Sequence, residues 1–469
     1  MPGIKRKLYQ ELTQWKGQAS RKPLLLFGAR QVGKTFLVCE QFAPIEFKKF
    51  HIFDFKDFGN RLQTIFEQDF NVQRIISELS ILKGDAINLE QDLIVFDEVQ
   101  ECPLAVESLK YFCEAKTNTA IIATGSMLRV KLLLSDPTAN SRYEFSYPVG
   151  KVTECTLYPL CFEEFIDACG NQLLSEAFQR GDRSLIAHDK LLELYRDYLF
   201  VGGMPEAVSL WQKRNENITQ AASIVRKLQL ELISAYRGDF IAKGNVINGT
   251  HLAMIYDALF TQIQLSMIQD GSAKRFKFKN VVPKKSRFAD LQNTIDWLEQ
   301  AGMAHKVYVI DCNPLSSPDA FIRHNIFKLL PHDIGLANAK LQHSYKEIRL
   351  DKLDLVKGAL GEIFVANELR TTFYKNPAHP LLGWVDKKAK YEVEFLLKSD
   401  DYGVYPMEVK AGSNTTAVSF NKYKKLYKPK VSIKLSTRAG GLKDSAHLTL
   451  PIYYVSKHAE FLVTAVEKQ

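Results

Sequence analysis

One short stretch near the start of the chain limits the possible folds more than any other. An apolar run over residues 24–27 is followed by the pattern Gly-x-x-x-x-Gly-Lys-Thr over residues 28–35, and then by a segment compatible with a helix. A strand, a glycine-bearing loop and a helix in this order are the expected context of a phosphate-binding P-loop. The two glycines permit a tight loop whose backbone N–H groups can point at phosphate oxygens. The stretch therefore predicts a nucleotide-binding site.

The residues of this loop have distinct expected roles. Lys34 is expected to reach the β- and γ-phosphates and to act in catalysis by neutralising their charge, and the Thr35 hydroxyl is expected to bind Mg²⁺. A helix beginning near Gly33 adds the positive end of its dipole. The predicted cofactors are ATP and Mg²⁺, and the predicted nucleotide-binding residues are Gly28, Ala29, Arg30, Gln31, Val32, Gly33, Lys34 and Thr35.

A second apolar run, over residues 93–96, ends in the two carboxylates Asp97 and Glu98. Four consecutive apolar residues indicate a strand buried on both faces, as in a parallel sheet. In this Walker B pattern Asp97 is expected to hold Mg²⁺, directly or through water, and Glu98 to polarise the attacking water. The pattern is weak alone, but its distance from the P-loop leaves room for intervening βα units.

A third apolar run, over residues 120–123, ends in the small residues Thr124, Gly125 and Ser126. Thr124 and Ser126 are both candidate catalytic residues that contact the γ-phosphate or the attacking water, and a plain turn is the alternative. Parallel strands that alternate with helices and carry ligand groups at their carboxyl ends predict a doubly wound α/β domain. We assign residues 1–165 to this domain.

Five stretches, taken together and in order, resemble a known family. They are residues 28–35 (GARQVGKT), 96–100 (FDEVQ), 123–126 (ATGS), 157–165 (LYPLCFEEF) and 202–206 (GGMPE). The chain resembles bacterial and archaeal ATP-binding proteins that have an AAA-like P-loop domain followed by a C-terminal domain of unknown function. This resemblance runs nearly end to end and implies a hydrolytic site in which Thr124 or Ser126 is the polar sensor.

One departure from the family concerns Lys151, which follows Gly150 where many relatives have Gly-Arg. If this residue acts on the γ-phosphate of a neighbouring chain in a homo-oligomer, Lys offers a point charge in place of the planar fork of Arg. Arg129 and Arg142 are the alternative candidates for such a finger.

Two regions are predicted between the P-loop domain and the C-terminal region. Residues 166–245 have helical spacing and fit the helical lid of AAA-type proteins, and residues 246–332 suggest a winged helix with strands near 304–310 and 327–330. The second region holds a basic set interleaved with Phe276, Phe278 and Phe288: Lys274, Arg275, Lys277, Lys279, Lys284, Lys285 and Arg287. This set is either a surface that tracks the phosphates of DNA or another nucleic acid, or a solvated strand face.

A second candidate site lies in residues 333–469. Residues 391–397 and 404–410 predict two strands joined by a hairpin, and period-two alternation puts Glu408 and Lys410 on one face. The region resembles the PD-(D/E)xK, restriction-endonuclease-like α/β fold. This resemblance implies a Mg²⁺ site at Glu362, Glu394 and Glu408, with Lys410 stabilising hydroxide or the pentacoordinate phosphate.

Position 394 departs from the nuclease pattern, which prefers Asp where this chain has Glu. An extra methylene moves the carboxylate by about a bond length, and the octahedral geometry of Mg²⁺ tolerates such shifts poorly. The alternative is that Glu408 and Lys410 form an ion pair in a degenerate, non-catalytic nuclease fold.

Composition restricts the class of protein. No apolar run approaches the roughly 20 residues that cross a bilayer, and the basic N-terminus is not followed by the apolar stretch of a secretion signal. The 7 cysteines have no paired spacing typical of a disulfide framework or a zinc site, and the net charge of +9 over 469 residues permits a nucleic-acid partner. We therefore expect a cytoplasmic protein without a membrane partner.

Two functions fit these patterns. The first is a Mg²⁺-dependent ATPase whose cycle acts on a C-terminal nucleic-acid-directed module, nuclease-like and of undecided activity. The second is a nucleotide-dependent switch or interaction protein, in which ATP turnover is incidental and no nucleic acid is cleaved.

Overall fold

The computed structural model describes residues 3–58, 60–115, 118–125, 146–214, 217–242, 248–270, 272–312, 318–352, 357–373, 379–388, 390–411, 418–440 and 446–466. The chain divides into two compact units. One consists of residues 1–158 with residues 300–302, and the other of residues 159–299 with residues 303–469.

The first unit is built on a parallel sheet, which in the described residues has five strands. They are β1 (Leu24–Phe27), β2 (Phe50–Asp54), β3 (Leu93–Asp97), β4 (Ala120–Thr124) and β5 (Thr153–Thr156), in the order β2-β3-β4-β1-β5. Strands β1, β3 and β4 are buried along their whole length, so their sequences are continuous apolar runs without alternation. The predicted α/β class with a parallel sheet is confirmed.

Helices precede and connect these strands. They are α1 (Leu8–Lys16), a π-helical stretch (Phe36–Phe42) that continues into α2 (Ala43–Glu46), α3 (Asn60–Gln68), α4 (Val72–Lys83) and α5 (Pro103–Glu114). The Asn71 side chain caps the start of α4, and Gly84 in the left-handed conformation ends that helix. Phe66 of α3 and Val106 of α5 pack with Phe96 of β3 in one core.

The strand register places the chemically important positions at one edge of this sheet. Asp54 at the end of β2 lies opposite Asp97 at the end of β3, and Thr124 at the end of β4 lies opposite Leu26 of β1. Because all the pairings are parallel, the carboxyl ends of these strands point to the same side.

The second unit contains a mixed sheet of seven strands in the described residues. They are β6 (Ala304–Ile310), β7 (Phe327–Pro331), β8 (Leu381–Val385), β9 (Glu392–Ser399), β10 (Gly403–Lys410), β11 (Ser432–Ser436) and β12 (His447–Pro451), in the order β12-β11-β10-β9-β8-β6-β7. The predicted hairpin joins β9 to β10, where Ser399 pairs with Gly403.

The helices of the second unit both precede and interrupt this sheet. They are α6 (Phe162–Cys169), α7 (Gln172–Gln179), α8 (Leu185–Val201), α9 (Pro205–Gln212), α10 (Ile218–Ala242), α11 (Gly249–Asp270), α12 (Phe288–Gln300), α13 (Ile334–Lys340), α14 (Tyr345–Arg349), α15 (Lys357–Glu368), α16 (Val418–Tyr427) and α17 (His458–Val466). The helical spacing read from residues 166–245 thus corresponds to helices α6 to α10.

The structure differs from the expected winged helix over residues 246–332. Strands β6 and β7 are antiparallel, as a wing requires, but β6 also pairs in parallel with β8. The two strands therefore form one end of the seven-stranded sheet. The boundary expected after residue 332 falls inside the second unit. This pairing joins strands about seventy residues apart, which local periodicity does not reveal.

In this part of the chain the first compact unit ends at residue 158, whereas the boundary expected from the sequence follows residue 165. The Leu160 N–H donates to the Gly203 carbonyl at 2.7 Å, and its carbonyl accepts from the Tyr198 hydroxyl at 2.6 Å. Phe162 then packs edge-on against Tyr195. These contacts make residues 159–165 part of the second unit.

Asp333 fixes the glycine pair that follows α8. Its buried carboxylate caps α13 by accepting the Leu336 N–H at 2.8 Å and also accepts the Gly203 N–H at 2.6 Å. Gly202 has φ +74°, and a Cβ there would lie 2.3 Å from an Asp333 oxygen. Burial raises the pKa of Asp333 to about 6.

We predict that Asp333→Ala destabilises the second unit by about 3 kcal/mol, because two buried N–H groups lose their acceptor. Urea unfolding should show a lower midpoint, and hydrogen exchange should accelerate at Gly203 and Leu336. Asp400→Ala, at the exposed β9–β10 turn, is the matched control and should change neither. An unchanged midpoint together with unchanged exchange at Gly203 would contradict this role of Asp333.

Candidate functional site

The P-loop backbone has the shape that the glycine pattern predicts. Gly28, Gln31 and Gly33 all have positive φ, at 145°, 64° and 93°. A Cβ on Gly28 would lie 2.2 Å from the Leu157 carbonyl oxygen, so a side chain cannot be accommodated there. The loop is therefore fixed by close backbone approach as well as by its own turn.

Arg6 supports this loop, and the sequence patterns did not predict this role. Its buried guanidinium donates to the Val32 carbonyl at 2.9 Å and to the Tyr158 carbonyl at 2.6 Å. The residue lies in a short basic run ahead of α1, and nothing in the local pattern distinguishes it from its exposed neighbours. Its two contacts tie the loop to the chain beyond β5.

Lys34 lies inside the loop that it is predicted to serve. Its ammonium donates to the carbonyls of Gly28 and Ala29, both at 2.9 Å. Burial lowers the pKa of Lys34 to about 8, and the nearby carboxylates of Glu98 and Asp97 only partly oppose this shift. The ammonium is thus held by neutral carbonyls.

Thr35 and Asp97 are in direct contact. The Thr35 hydroxyl donates to Asp97 Oδ2 at 2.9 Å, and Asp97 Oδ1 accepts the Glu98 N–H at 2.9 Å. Burial raises the pKa of Asp97. A hydroxyl and a carboxylate oxygen side by side are suitable hard ligands for Mg²⁺, which takes its remaining ligands in such sites from phosphates and water. The two predicted metal residues therefore fit the ion.

Glu98 is held by two side chains that the sequence did not single out. Its Oε2 lies 2.7 Å from the Lys56 ammonium and also accepts from the Gln100 amide. The backbone of Glu98 is left-handed, with φ 52°. Because Lys56 follows β2 and Gln100 follows β3, this contact depends on the parallel pairing of the two strands.

The predicted sensor position is described at one of its two candidates. Thr124 is fully buried, and its hydroxyl has no hydrogen-bond partner among the described residues. Ser126 lies outside the described residues, as do the alternative finger residues Arg129 and Arg142. Lys151, at the departure from the family pattern, lies 3.1 Å from Glu114 of α5.

The four predicted residues of the C-terminal site meet in one buried cluster. Lys410 Nζ lies 2.6 Å from Glu408 Oε1 and 3.9 Å from Glu394 Oε1. Glu394 Oε2 accepts the Val409 N–H at 3.1 Å, and burial followed by the charge of Glu408 raises the pKa of Glu394 to about 8. Glu362 on α15 approaches the same face, close enough to interact electrostatically with Glu394.

Lys328 is a fifth member of this cluster and was missed. It lies on β7, with its ammonium 2.7 Å from Glu362 Oε2 and 2.6 Å from Glu392 Oε1. Burial acts to lower the pKa of Lys328, but the surrounding carboxylates outweigh it and raise that pKa. Burial also raises the pKa of Glu362 to about 7. A lysine inside the otherwise apolar run of residues 327–331 was the available signal.

No three acidic, histidine or cysteine side chains within the described ranges are arranged to hold a metal ion. Likewise, none of the helices that could be examined is long and apolar enough to cross a membrane.

Comparison with known protein families assigns the first unit. Residues 20–166 match a family model described as an AAA domain. This part of the chain is therefore similar to AAA-type P-loop ATPase domains. Residues 192–347 and 357–454 match two further models, each described as a domain of unknown function (DUF8612 and DUF4143). No curated protein sequence matches the chain.

Two solved structures resemble the chain at low identity. A Walker-type ATPase of Pyrococcus abyssi is 16% identical over 73% of this chain and 98% of its own, with a TM-score of 0.43. The RuvB Holliday junction branch migration motor of Thermotoga maritima is 15% identical over 65% of this chain and 90% of its own, with a TM-score of 0.27.

We predict that ATP affinity falls as the pH rises above about 8, by up to tenfold per pH unit. The lowered pKa of Lys34 means that its ammonium loses the proton in this range, and with it the attraction to phosphate. Titration with ATP between about pH 7.5 and about pH 9.5 measures the slope. Lys34→Ala should bind weakly at every pH and lack the slope, whereas a flat wild-type profile would refute the assignment.

Proposed function

We propose that the chain is a Mg²⁺-dependent ATPase whose nucleotide cycle acts on a C-terminal, nucleic-acid-directed module with a nuclease-like arrangement. The observation that carries the ATPase part is the 2.9 Å contact between Thr35 and Asp97, beside the buried Lys34. The match of residues 20–166 to an AAA domain supports the same reaction class.

The residues of the P-loop have separable tasks in this proposal. The backbone N–H groups of the loop bind phosphate oxygens, and Lys34 exchanges its two carbonyl partners for the β- and γ-phosphates. Thr35 and Asp97 would hold Mg²⁺, which when bound would help to neutralise the charge of the phosphates. The exchange is favourable for Lys34 because phosphate restores the full charge that burial among neutral carbonyls disfavours.

Glu98 has the role of orienting and polarising the attacking water. Its contacts with Lys56 and Gln100 are both made through Oε2, so a water that bonds to this oxygen has to displace the Lys56 ammonium. The Lys56 side chain is about half exposed, and an exposed ion pair of this kind is worth roughly 1 kcal/mol or less. Breaking this ion pair therefore adds little to the free-energy barrier of ATP hydrolysis.

We predict that Glu98→Gln lowers steady-state ATP turnover by about 100-fold or more, because an amide cannot polarise the water as a carboxylate does. Nucleotide binding should be retained, so that ATP remains trapped on the protein. Lys34→Ala should lose binding instead. Phosphate release and filter-retained ATP measure the two effects, and Glu90→Gln, at an exposed position before β3, serves as the control.

The same two variants separate the enzyme from the switch. If ATP binding alone sets the conformation, Glu98→Gln keeps the binding of a nucleic-acid partner and Lys34→Ala loses it. If hydrolysis is the output, Glu98→Gln loses the activity that depends on turnover. Turnover in Glu98→Gln equal to that of wild type would contradict the catalytic role of Glu98.

A basic surface around residues 274–287 supports the nucleic-acid part of the proposal. Phe276 is buried and stacks with Phe327 of β7, and its N–H donates to the Phe327 carbonyl at 2.9 Å. The basic side chains of the same segment are exposed to solvent. They are Lys274, Lys277, Lys279, Lys284 and Arg287. Burial of the rings fixes the segment and presents the cations together, as contact with successive phosphates requires.

We predict that Lys284→Glu/Lys285→Glu/Arg287→Glu abolishes salt-sensitive DNA binding. Each lost phosphate contact should flatten the plot of log affinity against log salt by about 0.9. Fluorescence anisotropy at several salt concentrations measures affinity and slope. Lys422→Glu/Lys425→Glu/Lys428→Glu on and after α16 makes the same charge change elsewhere, and an equal loss there would mean that no local surface is responsible.

A further inference from the structure

The lysine of β7 is unusual in its position. The Lys328 side chain is 3% exposed, and its ammonium contacts carboxylates from two separate elements, Glu362 of α15 and Glu392 of β9. A buried charge of this kind is tolerated only where opposite charges surround it, and removing one partner leaves the other uncompensated. Lys328 therefore has a specific electrostatic task in this cluster.

The nuclease resemblance implies Mg²⁺ at Glu362, Glu394 and Glu408, and the arrangement does not fit that ion. Glu362 is engaged on both oxygens, by Lys328 at 2.7 Å and by the Ala273 N–H at 3.1 Å. Glu408 contacts Lys410 at 2.6 Å. Within the described residues the three carboxylates do not form a metal-holding group.

The two distances show how closely Lys328 is held. Carboxylate oxygens of Glu362 and Glu392 stand 2.7 and 2.6 Å from the Lys328 nitrogen, the separation of a short charge-assisted hydrogen bond and longer than the 2.0–2.1 Å at which Mg²⁺ binds oxygen. The ammonium thus occupies a position like that of a cation with oxygen ligands from α15 and β9. It brings one positive charge where a divalent ion would bring two.

We propose that Lys328 is a built-in cation that takes the place of a divalent ion in this cluster, so that the C-terminal module keeps the nuclease-like architecture without taking up metal there. This inference rests on the proposed function only in treating the module as nuclease-like. It assigns Glu362 and Glu392 to holding Lys328, and Lys410 to neutralising Glu408. The ion pairs of this cluster then stabilise the second unit without a metal ion.

Counting bound Mn²⁺ on the full chain tests the wild-type state. Electron paramagnetic resonance of free Mn²⁺ should give the same stoichiometry for wild type and for Glu362→Gln, because any ion at Thr35 and Asp97 is present in both. A Mn²⁺ equivalent present in wild type and lost in Glu362→Gln would overturn the proposal. So would Mn²⁺-dependent DNA cleavage that Lys410→Ala abolishes.

Removing the lysine tests whether Lys328 takes the place of a metal ion. Lys328→Met leaves Glu362 and Glu392 without their cation and should gain one Mn²⁺ or Ca²⁺ equivalent, with a melting temperature that rises on adding the metal. Lys328→Met/Glu362→Gln should lose that gain. Lys398→Met removes an exposed lysine of β9 and should leave the count unchanged. A folded Lys328→Met that gains no metal would overturn the proposal.

If Lys328→Met does not fold, the comparison of wild type with Glu362→Gln still decides the question. Failure of this inference can be told from failure of the proposed function. Loss of ATP turnover or of DNA binding is measured in variants of Glu98 and of the basic surface, and neither changes the metal count at Glu362.

Discussion

The parallel pairing of β1, β3 and β4 is the constraint on which the first unit depends. This pairing places Asp97 and Thr124 at the carboxyl edge of the sheet, which is the same edge at which β1 leads into the P-loop. The 2.9 Å contact between Thr35 and Asp97 is possible only because β3 and the loop after β1 end at the same level. A shift by one residue in either register would turn the carboxylate away from the hydroxyl.

Two buried lysines show how the surroundings of one residue type decide its chemistry. Lys34 donates to neutral carbonyls, so burial prevails and its pKa falls. Lys328 is surrounded by carboxylates, so their charges prevail and its pKa rises. The first lysine gains by accepting an anionic ligand, and the second already has its anions within the protein.

Short local patterns predicted which side chains lie near the P-loop, and the structure places Thr35 and Asp97 in contact there; the parallel sheet followed from its apolar runs. Arg6 and Lys56 were not predicted, since each acts on groups distant in sequence and sits in an unremarkable local context. Lys328 also acts on distant groups, and its position inside an apolar run was a signal that was not used. The pairing of β6 with β8 was missed for the same reason: a winged helix and an edge hairpin have the same local periodicity. Whether the C-terminal cluster can hold a metal depended on a side chain outside the motif.

The left-handed backbone at Glu98 has a consequence for engineering this protein. A non-glycine residue at φ 52° carries a conformational cost of roughly 1 kcal/mol or more, which Asn or Gly would reduce. Selection for thermal stability alone would therefore favour substitution of Glu98. The most stable variants would tend to lack its carboxylate. A library designed for stability should keep residue 98 fixed, because this unfavourable backbone position carries a side chain with a proposed catalytic role.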